Sequence, residues 1–402
     1  MPIRKFSFYM NKEVWIVGAA RTPIGSFNGA LASLAAPRLG AVAIKKAMEM
    51  AGVGHNQVDE LFMGNVISAN IGQAPATQAG IYAGIHPETP FTTINKVCAS
   101  GMKAMMLGAQ AIELGHAEVV VAGGMESMSQ IPYYLDQYRN GGRLGHGQVV
   151  DGILRDGLTD VYHQYHMGNA AELCASEYKI TREEQDDYAI RSYQRSAQAW
   201  SEGKFAAEIA PVSVEVRGKD PMVVDTDEDY TKVNFDKIGS LRPVFDKNGT
   251  ITAANASNLN DGASAVVLMC RERAEQMGVR PLARILGYAD AQQAPEWFTT
   301  APAKAIPLAM KRAGIAAAEV DFYEINEAFS VVCIANNRLL SLDPARVNVY
   351  GGGVSLGHPI GSSGCRIVVT LAHLLRQEGG RVGVAGICNG GGGASAMVIE
   401  RI

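Results

Sequence analysis

Four short segments of the chain place reactive or polar side chains beside the ends of predicted helices and strands. NKVCASG contains Cys98, YEINEAFS contains Asn326, GGGVSLGHPIGSSG contains His358, and GICNGGGG contains Cys388. A helix N-terminus stabilises negative charge, so Cys98, just ahead of a predicted helix, should have a lowered pKa and be a competent thiolate. Each residue alone is more often structural. Together, at one predicted rim, they indicate a functional site.

Four consecutive glycines, residues 390–393, follow Cys388 after Asn389. Glycine is entropically costly in a folded element, so the run indicates a place where the backbone comes close to something. A buried structural cysteine before a tight turn is the plain alternative. Metal binding is another, but these loops contain neither CxxC nor HxxxH spacing. A Cys-His-Asn hydrolase would not need a second cysteine backed by glycines.

An internal repeat predicts the elements that carry these residues. SGMKAMMLGAQAIELGHAEVVVAGG from Ser100 aligns with SGCRIVVTLAHLLRQEGGRVGVAGI from Ser363, and residues 47–65 align with 309–327 at nearly the same offset. Each copy indicates a helix, a loop and a buried strand. The chain is therefore predicted to form two similar α/β halves, whose strand ends are where such folds bind ligands.

A different kind of segment, residues 128–259, separates the two halves. It contains NGGRLGHGQ, an alternating VSVEVRG, an acidic DTDED and a predicted helix whose start is fixed by a capping box of Thr181 and Glu184. The predicted division is an N-terminal half of residues 1–127 completed by 260–281, an inserted loop domain of 128–259, and a C-terminal half of 282–402.

Composition excludes several classes of protein. The chain has 402 residues, 47% apolar and 19% charged, which is typical of a globular protein with more than one domain. The net charge of −4, without a basic run, gives no reason to expect a nucleic-acid partner. No apolar run approaches the ~20 residues of a membrane span. The six cysteines form no paired framework, which favours free thiols in a reducing compartment.

The N-terminal sequence MPIRKFSFYMNKEVW is basic but has neither an apolar core nor a cleavage site. We therefore expect neither a signal peptide nor a transit peptide, and a cytoplasmic location. Met10 is an alternative candidate for the natural first residue, with residues 1–9 as a leader.

The chain resembles the thiolase family over essentially its whole length. The matching motifs are VCASGMKA, HMG at 166–168, NASNLNDGA, NEAF, GGGVSLGHPIGSSG and CNGGGG. The resemblance implies the thiolase fold, a five-layered α/β/α/β/α arrangement of two similar halves with an inserted loop domain. That expectation agrees with the repeat.

The resemblance also implies an acyltransferase reaction, the reversible Claisen condensation of two acetyl-CoA to acetoacetyl-CoA and CoA. Cys98 would be the nucleophile that carries the acetyl group, and His358 would take its proton. His358 and Asn326, the latter through an ordered water, would hold a substrate thioester oxygen. Cys388 would be the general base. The N–H groups of Gly390 and Cys98 would face the acetyl-enzyme oxygen, and a side chain among the glycines would crowd the site.

Binding residues follow from the same resemblance. No cofactor is obligatory, and coenzyme A is substrate and product. The expected coenzyme A contacts are Lys232, Asn234 and Lys237 near the nucleotide, Ser257 on the pantetheine arm, and His166, Met167 and Tyr162 around the acyl pocket. DGLTDVY and TAANAS resemble a potassium-activated subgroup, which implies a K⁺ site of Tyr162, Ala253, Ala254, Ala256 and Val354. The expected partners are acetyl-CoA, acetoacetyl-CoA and CoA, with neither nucleic acid nor membrane, in a homotetramer.

Three alternative functions stay open at this point. One is a degradative 3-ketoacyl-CoA thiolase of broader chain length, although Met167 and the length of the loop domain favour short acyl groups. Another is a non-catalytic scaffold that binds coenzyme A. The related condensing synthases share the fold but lack the base at Cys388, which disfavours them.

Overall fold

The computed structural model describes residues 12–402. The alternative start at Met10 and the leader interpretation of residues 1–9 lie outside the described residues. The strands are β1 (Val14–Arg21), β2 (Gly25–Ser26), β3 (Glu60–Gly64), β4 (Phe91–Ile94), β5 (Val119–Ser127), β6 (Tyr133–Tyr134), β7 (Val150–Asp151), β8 (Thr159–Asp160), β9 (Tyr165–His166), β10 (Val212–Val214), β11 (Met222–Val224), β12 (Asn260–Cys270), β13 (Ala283–Gln292), β14 (Phe322–Ile325), β15 (Val382–Asn389) and β16 (Gly393–Arg401).

Ten α-helices lie between these strands within the described part of the chain. They are α1 (Ala36–Ala51), α2 (Pro75–Ala83), α3 (Ser100–Glu113), α4 (Met167–Glu177), α5 (Arg182–Ser201), α6 (Arg271–Met277), α7 (Pro302–Ala313), α8 (Ser330–Leu340), α9 (Gly353–Leu356) and α10 (Ile360–Gln377). None of the helices within residues 12–402 is both long and apolar enough to cross a membrane.

The main sheet repeats one pairing scheme in its two halves. Its order is β4-β3-β5-β12-β1 in the first half and β13-β16-β15-β14 in the second, with β2 beside β12. β3 is parallel to β5, and β14 is parallel to β15. β5, β12 and β1 then pair antiparallel, as do β15, β16 and β13. The counterpart of β4 is a single bridge between Tyr323 and Val347.

A glycine sits at the same strand irregularity in each half. The register of β1 shifts between Ile16 and Gly18, and that of β13 shifts between Ile285 and Gly287. A Cβ on Gly18 would lie 2.1 Å from a carbonyl oxygen of α1, and one on Gly287 would lie 2.8 Å from a backbone nitrogen of α7. Both positions therefore need glycine so that a helix can pack against the strand.

Helices α3 and α10 form a central layer between the two halves of the sheet. α10 contacts β5 and β12 on one side and β14 and β15 on the other, while α1 and α2 cover one outer face and α7 the other. The two central helices approach closely, because a Cβ on Gly101 would lie 2.8 Å from the Cys365 backbone nitrogen, and one on Gly364 would lie 2.7 Å from that of Met102. The expected five-layered fold is confirmed.

Residues 128–259 contain α4, α5 and the short strand pairs β6-β7, β8-β9 and β10-β11. The capping box at the start of α5 is present: the Glu184 N–H donates to Thr181 Oγ1 at 3.2 Å, and the Thr181 N–H donates to the Glu184 carboxylate at 2.9 Å. The domain boundaries proposed from the sequence stay predictions.

Candidate active site

Cys98 lies on a short turn between β4 and α3, two residues before the helix begins. The preceding residue, Val97, has a φ of +49°, which is unusual for a β-branched side chain and marks a strained turn. Ser100 ties the turn together, since its hydroxyl accepts from the Lys96 N–H at 2.8 Å and donates to the Val97 carbonyl at 2.6 Å. The sequence thus placed Cys98 correctly ahead of a helix.

The expected lowered pKa of Cys98 is wrong. Burial raises the pKa of its thiol to about 11, and the negative charge of Glu126 acts in the same direction. The N–H of Gly390 donates to the sulfur and lowers the pKa, but it does not outweigh desolvation. The helix N-terminus is therefore not sufficient, and Cys98 is a thiol at neutral pH that needs a base.

His358 is a neutral imidazole that can serve as that base. Burial and the nearby Arg366 lower its pKa to about 3. Its Nδ1 lies 2.6 Å from the Ser363 hydroxyl, which already donates to the Pro359 carbonyl at 3.0 Å. Ser363 must therefore accept from Nδ1–H, which leaves the lone pair on Nε2. Sequence reasoning missed this role of Ser363, although the residue stands in the same motif as His358.

Asn326 follows β14 and faces the unprotonated nitrogen of His358. Its Nδ2 lies 3.5 Å from His358 Nε2, and its buried Oδ1 accepts no hydrogen bond from the described residues. The next residue, Glu327, is also buried, and its carboxylate accepts from the Ser192 hydroxyl at 2.7 Å and the Val354 N–H at 3.1 Å. Glu327 thereby joins the loop ahead of His358 to helix α5.

Cys388 lies near the end of β15 and is fully buried. Burial raises the pKa of its thiol well above the usual value, and ionisation of Cys98 would raise it further. Gly390, whose N–H donates to the Cys98 sulfur, follows Cys388 by two residues, which brings Cys388 to the neighbourhood of Cys98. Cys388 packs among Met167, Phe298 and Phe329, so it is a protonated thiol behind an apolar wall.

The glycines after Cys388 form the turn between β15 and β16. Gly391 and Gly392 have φ values of +83° and +86°, a conformation that favours glycine. A Cβ on Gly392 would lie 2.3 Å from the Gln293 carbonyl oxygen, so a side chain there would clash with the backbone. A Cβ on Gly390 would lie 3.6 Å from both the Met167 sulfur and a Val97 methyl group, and the expected crowding of bound thioesters stays a prediction.

One cavity of about 350 Å³ is lined by half of the predicted site residues. Its lining includes Cys98, His358 and Gly390 together with His166, Met167, Ser257, Ala253 and Ala256. Asn326 and Cys388 are not part of the lining and lie buried beside it. The surface is mainly apolar, with Phe245, Phe298 and Phe329 on its walls.

The HMG motif shapes one side of the cavity. The His166 ring stacks on Phe245 with 4.6 Å between centroids, and its Nδ1 accepts from the Gly168 N–H at 3.0 Å. A Cβ on Gly168 would lie 2.2 Å from the Phe245 ring, so glycine is needed there. The Ser257 hydroxyl donates to the Ala328 carbonyl at 2.8 Å and keeps its lone pairs for a ligand N–H.

The remaining predicted binding residues lie away from the cavity lining. Lys232, Asn234 and Lys237 are exposed, and the Lys232 ammonium is engaged with the Ser26 hydroxyl and with Glu228 at 3.6 Å. Among the expected K⁺ ligands, only the two alanines named above line the cavity. Tyr162 is 73% exposed, whereas Ala254 and Val354 are buried.

Comparison with known proteins decides the family. A family model described as "Thiolase, N-terminal domain" matches residues 14–272, and one described as "Thiolase, C-terminal domain" matches residues 279–401. The chain belongs to the thiolase family.

Similar proteins support the same assignment. An acetyl-CoA acetyltransferase of Schizosaccharomyces pombe is 57% identical over 98% of this chain and 100% of its own length. Acetyl-CoA acetyltransferase 1 of Arabidopsis thaliana is 56% identical over 97% of this chain and 94% of its own. The crystal structure of a thiolase from Ascaris suum in complex with coenzyme A has a TM-score of 0.93 and 46% identity, and the match covers 97% of this chain and 100% of that one.

Proposed function

We propose that this thiolase is an acetyl-CoA acetyltransferase, which condenses two acetyl-CoA reversibly to acetoacetyl-CoA and CoA. One observation carries the proposal: a single apolar cavity presents Cys98, His358 and the Gly390 N–H together, with Cys388 buried beside Cys98. This set provides a nucleophile, a base for it, an oxyanion donor and a second proton-transfer group. The names of the similar acetyl-CoA acetyltransferases agree with it.

The first half-reaction acetylates Cys98. The thiol is protonated, so His358 Nε2 takes its proton as the sulfur attacks the acetyl-CoA carbonyl. The N–H groups of Gly390 and Cys98 then stabilise the oxyanion. Collapse of the tetrahedral adduct releases CoA as a thiolate and leaves an acetyl thioester on Cys98.

Cys388 acts in the second half-reaction. It begins as a thiol and must lose its proton before it can act as a base, and the departing CoA thiolate is an acceptor for that proton. Acetylation of Cys98 leaves no group there that can ionise, so a thiolate at Cys388 meets no like charge from Cys98. The thiolate then takes an α-proton from a second acetyl-CoA, and the resulting enolate attacks the acetyl group.

The enolate oxygen needs a separate stabilising site. Asn326 and His358 fit this role because they stand 3.5 Å apart at the cavity edge, and a water between them and the thioester oxygen would complete their hydrogen bonds. His358, protonated by the first half-reaction, is then a donor, and it returns its proton to Cys98 when acetoacetyl-CoA leaves.

Coenzyme A enters from the side of the loop domain in this account. His166, Met167 and Ser257 line the cavity and would contact the acyl group and pantetheine arm. Lys232, Asn234 and Lys237 are exposed and available to the nucleotide, although Lys232 must first leave Glu228. Tyr162 is available to either the ligand or the ion.

Three finer assignments are part of the proposal. Carbonyl oxygens of Ala253, Ala254, Ala256 and Val354, with Tyr162, are the candidate ligands for K⁺, a cation that carbonyl groups suit. Replacing KCl by NaCl in the assay should lower the rate if the ion binds.

A homotetramer in the cytoplasm is the expected state, and light scattering that gives a 42.8 kDa monomer at micromolar concentration would contradict the tetramer.

The test of the proposed function is a product assay. Purified protein and acetyl-CoA should yield acetoacetyl-CoA and CoA in equal amounts, and acetoacetyl-CoA should be cleaved faster than 3-ketohexadecanoyl-CoA. The bulky walls formed by Phe245, Phe298 and Phe329 support this preference for short acyl groups. A higher rate on the long substrate would support the broad-chain alternative instead. Binding of CoA without any turnover would indicate the scaffold.

A further inference from the structure

The turn between β4 and α3, residues 95–99, carries Cys98 and is called the nucleophile turn below. The Lys96 side chain extends from this turn to the C-terminal half of the sheet. Its ammonium donates to the Asp290 carboxylate at 2.7 Å, the Ser395 hydroxyl at 2.7 Å and the Ala394 carbonyl at 3.1 Å. Asp290 belongs to β13, and the other two residues belong to β16. One side chain that begins two residues before Cys98 is therefore anchored entirely on the other half of the molecule.

Strand register places this anchor directly beside the second cysteine. Ala394 pairs with Cys388 across the β15-β16 ladder, and Ser395 pairs with Asp290 across the β13-β16 ladder. The ammonium thus holds the backbone carbonyl of the residue opposite Cys388. The same contact connects the turn that carries Cys98 to the strand pair that carries Cys388.

The nucleophile turn needs such an anchor because it is strained. Val97, with its positive φ, lies between Lys96 and Cys98. A strained conformation persists only where its surroundings hold it. The Ser100 hydroxyl holds the helix side of the turn, and Lys96 holds the strand side.

Charge and partial burial stabilise the ion pair between Lys96 and Asp290. Asp290 accepts a second ammonium, that of Lys103 on α3, at 2.8 Å, and these hydrogen bonds lower the pKa of Asp290 to about 2. The carboxylate is therefore ionised at any working pH. The Lys96 side chain is only 22% exposed, which limits screening by solvent.

We propose that Lys96 and Asp290 are positioning residues whose ion pair sets the distance between Cys98 and Cys388. The inference rests on the proposed function. Only the carbon–carbon bond-forming step requires Cys388 to take an α-proton while Cys98 holds the acetyl group, since acetyl transfer between CoA molecules needs Cys98 and His358 and the CoA thiolate can also take its proton from solvent. Loss of the pair should therefore slow condensation much more than exchange, because small displacements of reacting groups cost large factors in rate.

The experiment measures acetoacetyl-CoA synthesis and acetyl-CoA/labelled-CoA exchange on the same preparations. Lys96→Met should lower the ratio of condensation to exchange by about tenfold or more. The matched control is Lys103→Met, which removes a lysine that bonds the same carboxylate but, among the described residues, donates no side-chain hydrogen bond to β16 and lies within α3 rather than in the turn before it. Its ratio should stay within about twofold of the wild type.

Each outcome decides the inference. Equal loss of both activities in Lys96→Met would assign the lysine to general stability and overturn the proposal, as would an unchanged ratio. Thermal melting checks that the variant is folded. If it is not, Asp290→Asn keeps the shape of the side chain, and its ratio should fall in the same direction by at least about threefold. A wild type that catalyses neither reaction would instead overturn the proposed function.

Discussion

The two halves of the sheet share a scaffold but contribute different chemistry. Both contain the same pairing scheme and a glycine at the same strand irregularity. In the internal repeat, Ser100 corresponds to Ser363, and each hydroxyl bonds a carbonyl within the turn that precedes its helix. Yet the N-terminal half supplies one reacting side chain, Cys98, whereas the C-terminal half supplies His358, Asn326 and Cys388.

Equivalent positions of the repeat show that few residue types need to differ for the two halves to have different chemistry. Cys388 corresponds to Met125, and Asn326 corresponds to Gly64, by the offsets of the repeat. Met125 has no ionisable proton to match the Cys388 thiol, and Gly64 has no side-chain donor to match the Asn326 amide. The scaffold therefore decides where strand-end residues meet, and a few substitutions decide which half supplies the nucleophile and which supplies the proton-transfer groups.

Cys98→Ser should have the largest effect, because it replaces the nucleophile, the reacting side chain that the N-terminal half contributes. A serine hydroxyl stays protonated near neutral pH and is a poorer nucleophile in the same geometry. Mass spectrometry after mixing with acetyl-CoA should show an acetyl adduct on the wild type and none on the variant. An adduct on the variant at the wild-type rate would mean that another residue carries the acetyl group.

The pH dependence of Cys98 alkylation tests the correction to its pKa. With a pKa of about 11 the thiolate fraction rises with pH, so inactivation by iodoacetamide should speed up by about tenfold for each pH unit between 7 and 9. The direction follows from a raised pKa, since less thiolate is present at low pH. A plateau by pH 8 would instead support the thiolate expected from the helix N-terminus.

The equivalent serines allow a matched comparison of the halves. Ser363→Ala removes the acceptor that keeps the proton on His358 Nδ1, and one hydrogen bond of ~1 kcal/mol corresponds to about a fivefold loss in kcat. Ser100→Ala should mainly loosen the strained turn at Val97 and lower the melting temperature. Steady-state kinetics and thermal melting on both variants measure the contrast. Equal kinetic losses would argue against a specific role for Ser363.

The smallest effect on activity is expected from the scaffold glycines. Gly18→Ala and Gly287→Ala each push a methyl group into a helix backbone, which should cost ~1–3 kcal/mol of folding stability. Gly18→Ala should cost more, because its clash is at 2.1 Å rather than 2.8 Å. Denaturant unfolding gives the two values. A larger stability loss in Gly287→Ala than in Gly18→Ala would contradict the reasoning from clash distances. An altered ratio of condensation to exchange in either variant would contradict a purely structural role.

The sequence was informative wherever a local pattern is sufficient. The repeat predicted the strands that end beside Asn326 and Cys388, and the capping box predicted the start of α5. Both are visible as residue types at fixed spacing. The fold class followed from the same repeat together with the family motifs.

The properties that the sequence did not reveal are set by how distant residues pack around the site in the folded chain. The helix N-terminus beside Cys98 is a local feature, but desolvation by surrounding residues decides its pKa. The space around Gly390 is set by Met167 and Val97, which are distant in sequence. The tautomer of His358 depends on how the hydroxyl of Ser363 is oriented, and a sequence motif does not record that orientation.

Cys388→Ala tests the division of chemistry between the halves most directly. Cys98 can still be acetylated in this variant, because His358 and the N–H of Gly390 remain. Cys270→Ala is the matched control, since it removes a buried thiol at the far end of β12. Acetoacetyl-CoA synthesis and acetyl-CoA/labelled-CoA exchange are measured on the same preparations.

Condensation by Cys388→Ala should fall by ~10²–10⁴-fold while exchange survives much better. The control should leave both activities close to those of the wild type. If exchange and condensation fell equally in Cys388→Ala, Cys388 would be a structural cysteine ahead of a glycine turn, and the proposed base would have to be another group.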